Sequence, residues 1–265
     1  MTAAAYWHCF WGILRRELLR FVQQRSRFIS ALVRPLLWLV VFAAGFRAAL
    51  GIAIIPPYQT YITYEVYIVP GLIGMILLFN GMQSALSMVY DREMGSMRMM
   101  LTSPASRGFL LISKLVASAL VSLLQVLGFI AISWAFGIEA PLLGYFWLLP
   151  SVLLAALMVG SLGLLLSSLI RQLENFAGVM NFVVFPLFFL SSALYPLWKM
   201  RESSELLYLV CASNPFTHAV ELIRFSLYSQ WNTVALAVTL VTTLILLTAA
   251  IIGYDPKRGM ITRKA

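Results

Sequence analysis

Histidine and cysteine are nearly missing from this sequence. The 265 residues hold two of each: His8, His218, Cys9 and Cys211. They form no CxxC pair and no HExxH, so dithiol and metal chemistry have no local foundation. Charge is scarce as well. Asp, Glu, Lys and Arg make up 11% of the chain, against about 25% in a soluble domain. None of the four lysines, Lys114, Lys199, Lys257 and Lys264, follows a glycine. The glycine-rich loop ending in lysine that cradles ATP phosphates is therefore lacking. No cluster of carboxylates, or of serine with a base, offers a catalytic centre, and an enzyme is not expected.

Apolar residues take the place of charge. They make up 61% of the chain, with a mean hydropathy of +0.89, and they come in runs long enough to cross a bilayer. The expectation is an all-α integral membrane protein with six transmembrane helices at about 28–50, 67–89, 109–136, 142–169, 175–196 and 232–253. Pro70 and Pro186 fall inside two of these, which membrane helices tolerate. Arg34 and Arg47 bracket the first, placed to snorkel toward opposite surfaces. Spans two, four, five and six carry no charge well inside, and Lys114 sits near the start of span three. Ion-coupled carriers keep ionisable groups at mid-depth, so this absence counts against a carrier.

The net charge is +9, and its placement points to membrane orientation rather than to nucleic acid. Arg15, Arg16, Arg20, Arg25, Arg27, Arg34, Arg92, Arg98, Arg107, Lys114, Arg171, Lys257, Arg258, Arg263 and Lys264 fall on one side; Arg47, Lys199, Arg201 and Arg224 fall on the other. Fifteen against four places both termini in the cytoplasm by the positive-inside rule. Residues 1–27 read as an N-terminal amphipathic interfacial helix, retained rather than cleaved as a signal peptide. Its apolar face is Trp7, Trp11, Leu14, Leu18 and Phe21, with Arg15, Arg16 and Arg20 largely turned away. Residues 28–253 are the transmembrane domain and 254–265 a basic cytoplasmic tail.

The outer segment of about 197–231 is too long for a bare turn. Asn214-Pro215 is a helix N-cap followed by proline at the first helical position. Phe216, Val220, Ile223 and Leu227 then share a face, and Glu221 and Arg224 are spaced to pair. Two short re-entrant helices before the last span account for this; a surface-lying amphipathic helix does so equally on pattern alone.

Within the spans the polar residues are neutral: Asn80, Gln83, Ser84 and Ser87 in span two, Ser122 and Gln125 in span three, and Asn181 in span five. They read either as a weakly polar translocation path or as interhelical hydrogen bonds. Phe182, Phe185 and Phe189, near Pro186, read either as an apolar gate or as packing.

The stretch YDREMGSMRMMLTSPASRG, residues 90–108, is more than a loop. Met94, Met97 and Leu101 recur at helical spacing, charges occupy the other faces, and Pro104 ends the pattern. This predicts a short amphipathic helix at about 91–103, with adaptable methionines suited to a protein contact.

Tyr90-Asp91-Arg92-Glu93-Met94-Gly95-Ser96, then Leu101-Thr102-Ser103-Pro104-Ala105-Ser106-Arg107 and Lys114-Leu115, resemble the membrane subunits of type-2 ABC exporters. Tyr67-Ile68-Val69-Pro70-Gly71, Leu194-Tyr195-Pro196 and Asn214-Pro215-Phe216-Thr217-His218 agree in order, so the resemblance covers nearly the whole chain. Its flavour is that of drug-resistance and nodulation-factor exporters. The resemblance implies a permease of the inner membrane of a bacterium, moving an amphiphile outward. It implies no cofactor in this chain, with ATP and Mg2+ held by a separate ABC ATP-binding subunit in two copies, and a second permease copy forming a homodimer in the lipid. The 91–103 segment would be the coupling helix: Asp91, Arg92 and Glu93 fix the docked register, Met94, Met97 and Leu101 supply apolar contact, and Ser96 and Arg98 join the same surface. The alternatives are export of a lipid-linked polysaccharide by the same kind of transporter or, from another class, an ion-coupled carrier or channel.

Overall fold

Each apolar run of spanning length folds as a helix, because hydrocarbon leaves a backbone no other way to satisfy its own polar groups. A computed structural model describes residues 2–23, 25–46, 56–58, 62–94, 105–170 and 172–254. These form α1 (Ala3–Gln23), α2 (Arg25–Phe46), α3 (Tyr64–Glu93), α4 (Arg107–Ala135), α5 (Leu142–Leu169) and α6 (Leu173–Phe189). Three short helices follow, α7 (Leu197–Ser203), α8 (Glu205–Ser213) and α9 (Pro215–Leu227), and then α10 (Thr233–Gly253).

Four of these, α3, α4, α5 and α10, are long and apolar enough to cross a membrane. The pair α8–α9, bent by 75°, makes a fifth candidate as one broken span. α2 and α6 carry shorter apolar stretches, Ile29–Val41 and Leu173–Phe189. Helices thus stand at all six expected positions, while the length and hydropathy test is met by four of them and by the bent pair.

Two boundaries differ from expectation. α3 extends beyond 67–89 at both ends, so Asp91, Arg92 and Glu93 form its last turn rather than opening a separate helix. α6 stops at Phe189 instead of running to 196. Pro186 lacks an N–H, and past Leu190 the chain turns through Ser191–Leu194, all buried. The side-chain amide of Asn214 donates to the carbonyls of Leu187 (2.9 Å) and Leu190 (2.6 Å), which α6 itself leaves open. The Asn214 oxygen also accepts from Phe216 N at 2.9 Å, so the expected cap of α9 is present with proline at its first position. Phe216, Val220, Ile223 and Leu227 form the buried face expected of them.

α5 is the hub, packing against α3, α4, α9 and α10. It is apolar on every side, as a helix surrounded by others must be. Small residues set the closest approaches. A Cβ on Gly144 would sit 1.8 Å from the carbonyl oxygen of Leu227, and one on Gly71 2.0 Å from that of Ala193. α9 therefore lies against the backbone of α5, and the turn after α6 against the backbone of α3.

α1 packs on α4 and α2, with Tyr6 edge-on to Phe109 at 4.8 Å and Leu14 and Phe21 buried. The face expected to be continuous is split. Trp7 and Trp11 stack at 6.4 Å and point outward, 63% and 57% exposed. One stripe of α1 is used by the bundle and the next is left free.

Candidate functional site

The last turn of α3 carries three consecutive charged residues, and an α-helix turns about 100° per residue. Asp91, Arg92 and Glu93 therefore leave α3 in three directions, and each meets a different part of the chain. We call this end of the bundle, where α1 lies, the proximal end.

Asp91 is buried and points at α4 and α1. Its carboxylate accepts from Lys114 Nζ at 3.0 Å, with Arg16 at 3.7 Å and Arg20 at 4.0 Å. Burial strips water from both Asp91 and Lys114, so each needs the other's charge. Arg92 points at the end of α5. Its guanidinium donates to the carbonyls of Ser167 (2.7 Å) and Ile170 (3.4 Å), where the helix dipole is negative. It also lies over the ring of Tyr254, 5.3 Å away, whose hydroxyl meets Ser167 Oγ at 2.7 Å. Burial pushes the Tyr254 phenol above its ordinary range, so Arg92 faces a neutral ring. Glu93 points at the start of α6 and accepts from Leu173 N at 2.9 Å. Gln172, the N-cap of α6, makes no side-chain cap bond; Glu93 supplies the negative end that position lacks.

One turn of helix thus fastens α1, α4, α5, α6 and the end of α10 to α3. Met94 follows as the C-cap, 66% exposed. Ser96, Met97, Arg98 and Leu101, the rest of the expected coupling surface, lie outside the described residues. Sequence reasoning grouped Asp91, Arg92 and Glu93 with them as a docking face; the structure gives these three partners within the chain. Reasoning from sequence also missed Tyr254, Ser167 and Leu173 as members of the site. No local signal marks them, since Tyr254 is 87 residues from Ser167, and Leu173 is 80 from Glu93.

At mid-depth, the side-chain amide of Asn80 donates to Ser118 O at 3.2 Å and to Ser122 Oγ, and Ser122 Oγ donates to Ser118 O at 3.1 Å. These bonds join α3 to α4. Gln125 is buried with no partner for its Oε1 among the described residues, and Ser87 Oγ donates to Ser84 O at 2.7 Å. Gln83 and Asn181 are exposed, so the neutral polar residues do not form one group. Phe182 is 80% exposed; Phe185 and Phe189 stack at 6.1 Å beside it, and Trp38 of α2 meets Phe189 at 6.0 Å.

At the opposite, distal end, Arg224 of α9 is fully buried. It pairs with Glu221, donates to Ser192 O at 2.8 Å and lies 4.1 Å over the ring of Tyr67. Tyr67 and Tyr64 donate to Ser192 O (3.0 Å) and Leu194 O (2.8 Å). The start of α3 is thus bound to the turn after α6 and to α9.

The described residues form a helical bundle with four membrane-crossing candidates and a charged junction at one end, which defines a multi-pass membrane protein. Comparison with known proteins agrees: the ABC-2 type transporter family matches residues 8–228, and the chain belongs to that family. It is similar to the transport permease ycf38 of Porphyra purpurea, 28% identical over 227 residues, covering 83% of this chain and 75% of that protein. Nodulation protein J of Rhizobium leguminosarum bv. viciae is 23% identical over 199 residues, 72% of each chain. The multidrug ABC transporter permease YbhR of Escherichia coli (strain K12) is 32% identical over 147 residues, 54% of this chain and 39% of that one.

Proposed function

We propose that this permease is the membrane-spanning subunit of an ATP-driven exporter that moves an amphiphilic molecule outward across a bacterial inner membrane. ATP and Mg2+ are bound by two copies of a separate ABC subunit, and two copies of this permease form the pathway. The single observation that carries the reading is the junction at the end of α3, where Asp91, Arg92 and Glu93, the first residues of the expected coupling helix of 91–103, are bound to five helices. A partner that grips the coupling segment acts on α3 through that turn.

In this reading all six long helices span the bilayer, with both termini cytoplasmic as the fifteen basic residues on that side require. α1 lies in the interface with Trp7 and Trp11 in lipid. α8 and α9 form the re-entrant hairpin near the exit, with α9 buried against the bundle and Asn214 at the bend bonded to the end of α6. The Phe182, Phe185 and Phe189 face serves as an apolar gate, and Asn80, Gln83, Ser84, Ser87, Ser122, Gln125 and Asn181 make the interior weakly polar.

The test is ATPase stimulation of the reconstituted permease–ATPase complex by a panel of amphiphiles. Stimulation is expected, and it is expected to vanish in Met97→Asp while the variant still inserts and assembles its helices. Unchanged stimulation in Met97→Asp would sink the coupling role. Failure to copurify with any ABC ATPase would sink the exporter reading.

A further inference from the structure

Arg34 was expected to snorkel to a membrane surface, and it does not lie where that requires. α2 begins at Arg25, so at 1.5 Å per residue Arg34 stands about 13 Å inside the helix. Its guanidinium lies 3.7 Å from the ring centroid of Phe79. Phe79 is the middle residue of α3, roughly 21 Å from Glu93 by the same rise. Arg34 is exposed on the bundle's flank, and among the described residues no acidic side chain pairs with it. With Ile29, Ser30, Val33, Leu37 and Trp38 it lines a shallow, open groove of about 470 Å³ along one face of α2 alone. Trp38 reaches on to Phe188 (6.2 Å) and Phe189 (6.0 Å), which joins this groove to the phenylalanine face of α6.

A guanidinium at mid-bilayer needs an anion or water, because hydrocarbon offers its N–H donors nothing. The chain does not supply that anion. None of its ten acidic residues falls in the middle turns of α2 to α6 or α10: Glu65 and Glu174 open helices, Asp91 and Glu93 close one, and the rest lie outside these helices. A second copy of this chain brings the same set and meets the same deficit. A phospholipid phosphate sits at the bilayer surface, about 15 Å from its centre.

We propose that Arg34 and its groove form a binding site for an anionic amphiphile, with a phosphate, sulfate or carboxylate on the guanidinium and an apolar body along Ile29, Val33, Leu37 and Trp38. The anion belongs to the transported molecule, so the assignment rests on the exporter reading and adds to it that the cargo is acidic.

The test uses the purified permease alone in nanodiscs, with a diazirine-tagged long-chain alkyl phosphate and its neutral alcohol as photolabels. The phosphate is expected to label α2 in preference to the alcohol. Arg34→Gln is expected to reduce that preference about tenfold, in line with the loss of a charge-assisted hydrogen bond, and Arg34→Lys to retain most of it. Equal labelling by both probes, or an undiminished preference in a monodisperse Arg34→Gln, overturns the proposal. So does displacement of the phosphate label by phosphatidylglycerol as readily as by untagged alkyl phosphate, which gives the groove to bilayer lipid. Cross-linking between copies through Ser30→Cys with no labelling gives it to a second permease and overturns it equally. No ATPase takes part, so labelling that depends on Arg34 in a permease that couples to no ATPase would leave the site standing and the exporter reading fallen.

Discussion

Asp91 and Lys114, 23 residues apart in the chain, meet at 3.0 Å with side chains only 6% and 3% exposed. This pair joins the last turn of α3 to α4. Breaking a buried pair from one side leaves the other charge stranded, at a cost of about 3–5 kcal/mol. The two sides are unequal. Without Lys114, Asp91 keeps Arg16 and Arg20 nearby; without Asp91, Lys114 loses its closest anion. Asp91→Asn is therefore expected to lower the thermal midpoint in detergent more than Lys114→Met does. Equal losses would show that Arg16 and Arg20 contribute nothing.

Glu93 reads differently once α6 is seen beside it. It holds Leu173 N, so Glu93→Ala removes the cap of α6, worth about 1 kcal/mol. In the complex, Glu93→Ala is expected to uncouple ATP hydrolysis from transport while insertion stays intact, and Glu93→Gln to keep coupling through its remaining oxygen. Normal coupling in Glu93→Ala, measured as cargo moved per ATP, would refute the link.

Gly71 has no room for a side chain, since its Cβ would fall 2.0 Å from a backbone oxygen. Gly71→Ala is expected to cost roughly 1–3 kcal/mol through overpacking and to loosen the turn after α6. Gly12, where a Cβ meets nothing within 4 Å, is the control: Gly12→Ala should be neutral or slightly stabilising by melting temperature.

Asn214 does two things with one amide. Its oxygen caps α9 and its nitrogen closes the end of α6. Asn214→Asp preserves the first and replaces the second with repulsion between the carboxylate and the carbonyls of Leu187 and Leu190. It is expected to destabilise the protein more than Asn214→Ser, which keeps a cap and adds no charge. The reverse order in unfolding experiments would mean that the α6 contacts matter little.

Much of this architecture was legible in one dimension. Hydropathy located six helices because burying an apolar run depends on composition and length alone. The cap at Asn214, the apolar face of α9 and the Glu221–Arg224 pair were legible because their partners lie within a turn or two. The end of α3 was not. Pro104 marks where a helix must stop, and no rule of that kind separates α3 from the segment after it.

The sequence by itself determined an all-helical membrane subunit with a charged stretch at 90–108 and no nucleotide loop of its own, since those facts need only residue types and spacing. Tertiary structure decided where Asp91, Arg92 and Glu93 point, and that Arg34 rests on Phe79 in the middle of α3. Side-chain direction turns about 100° with each residue, and only the packing of distant helices determines what each direction meets.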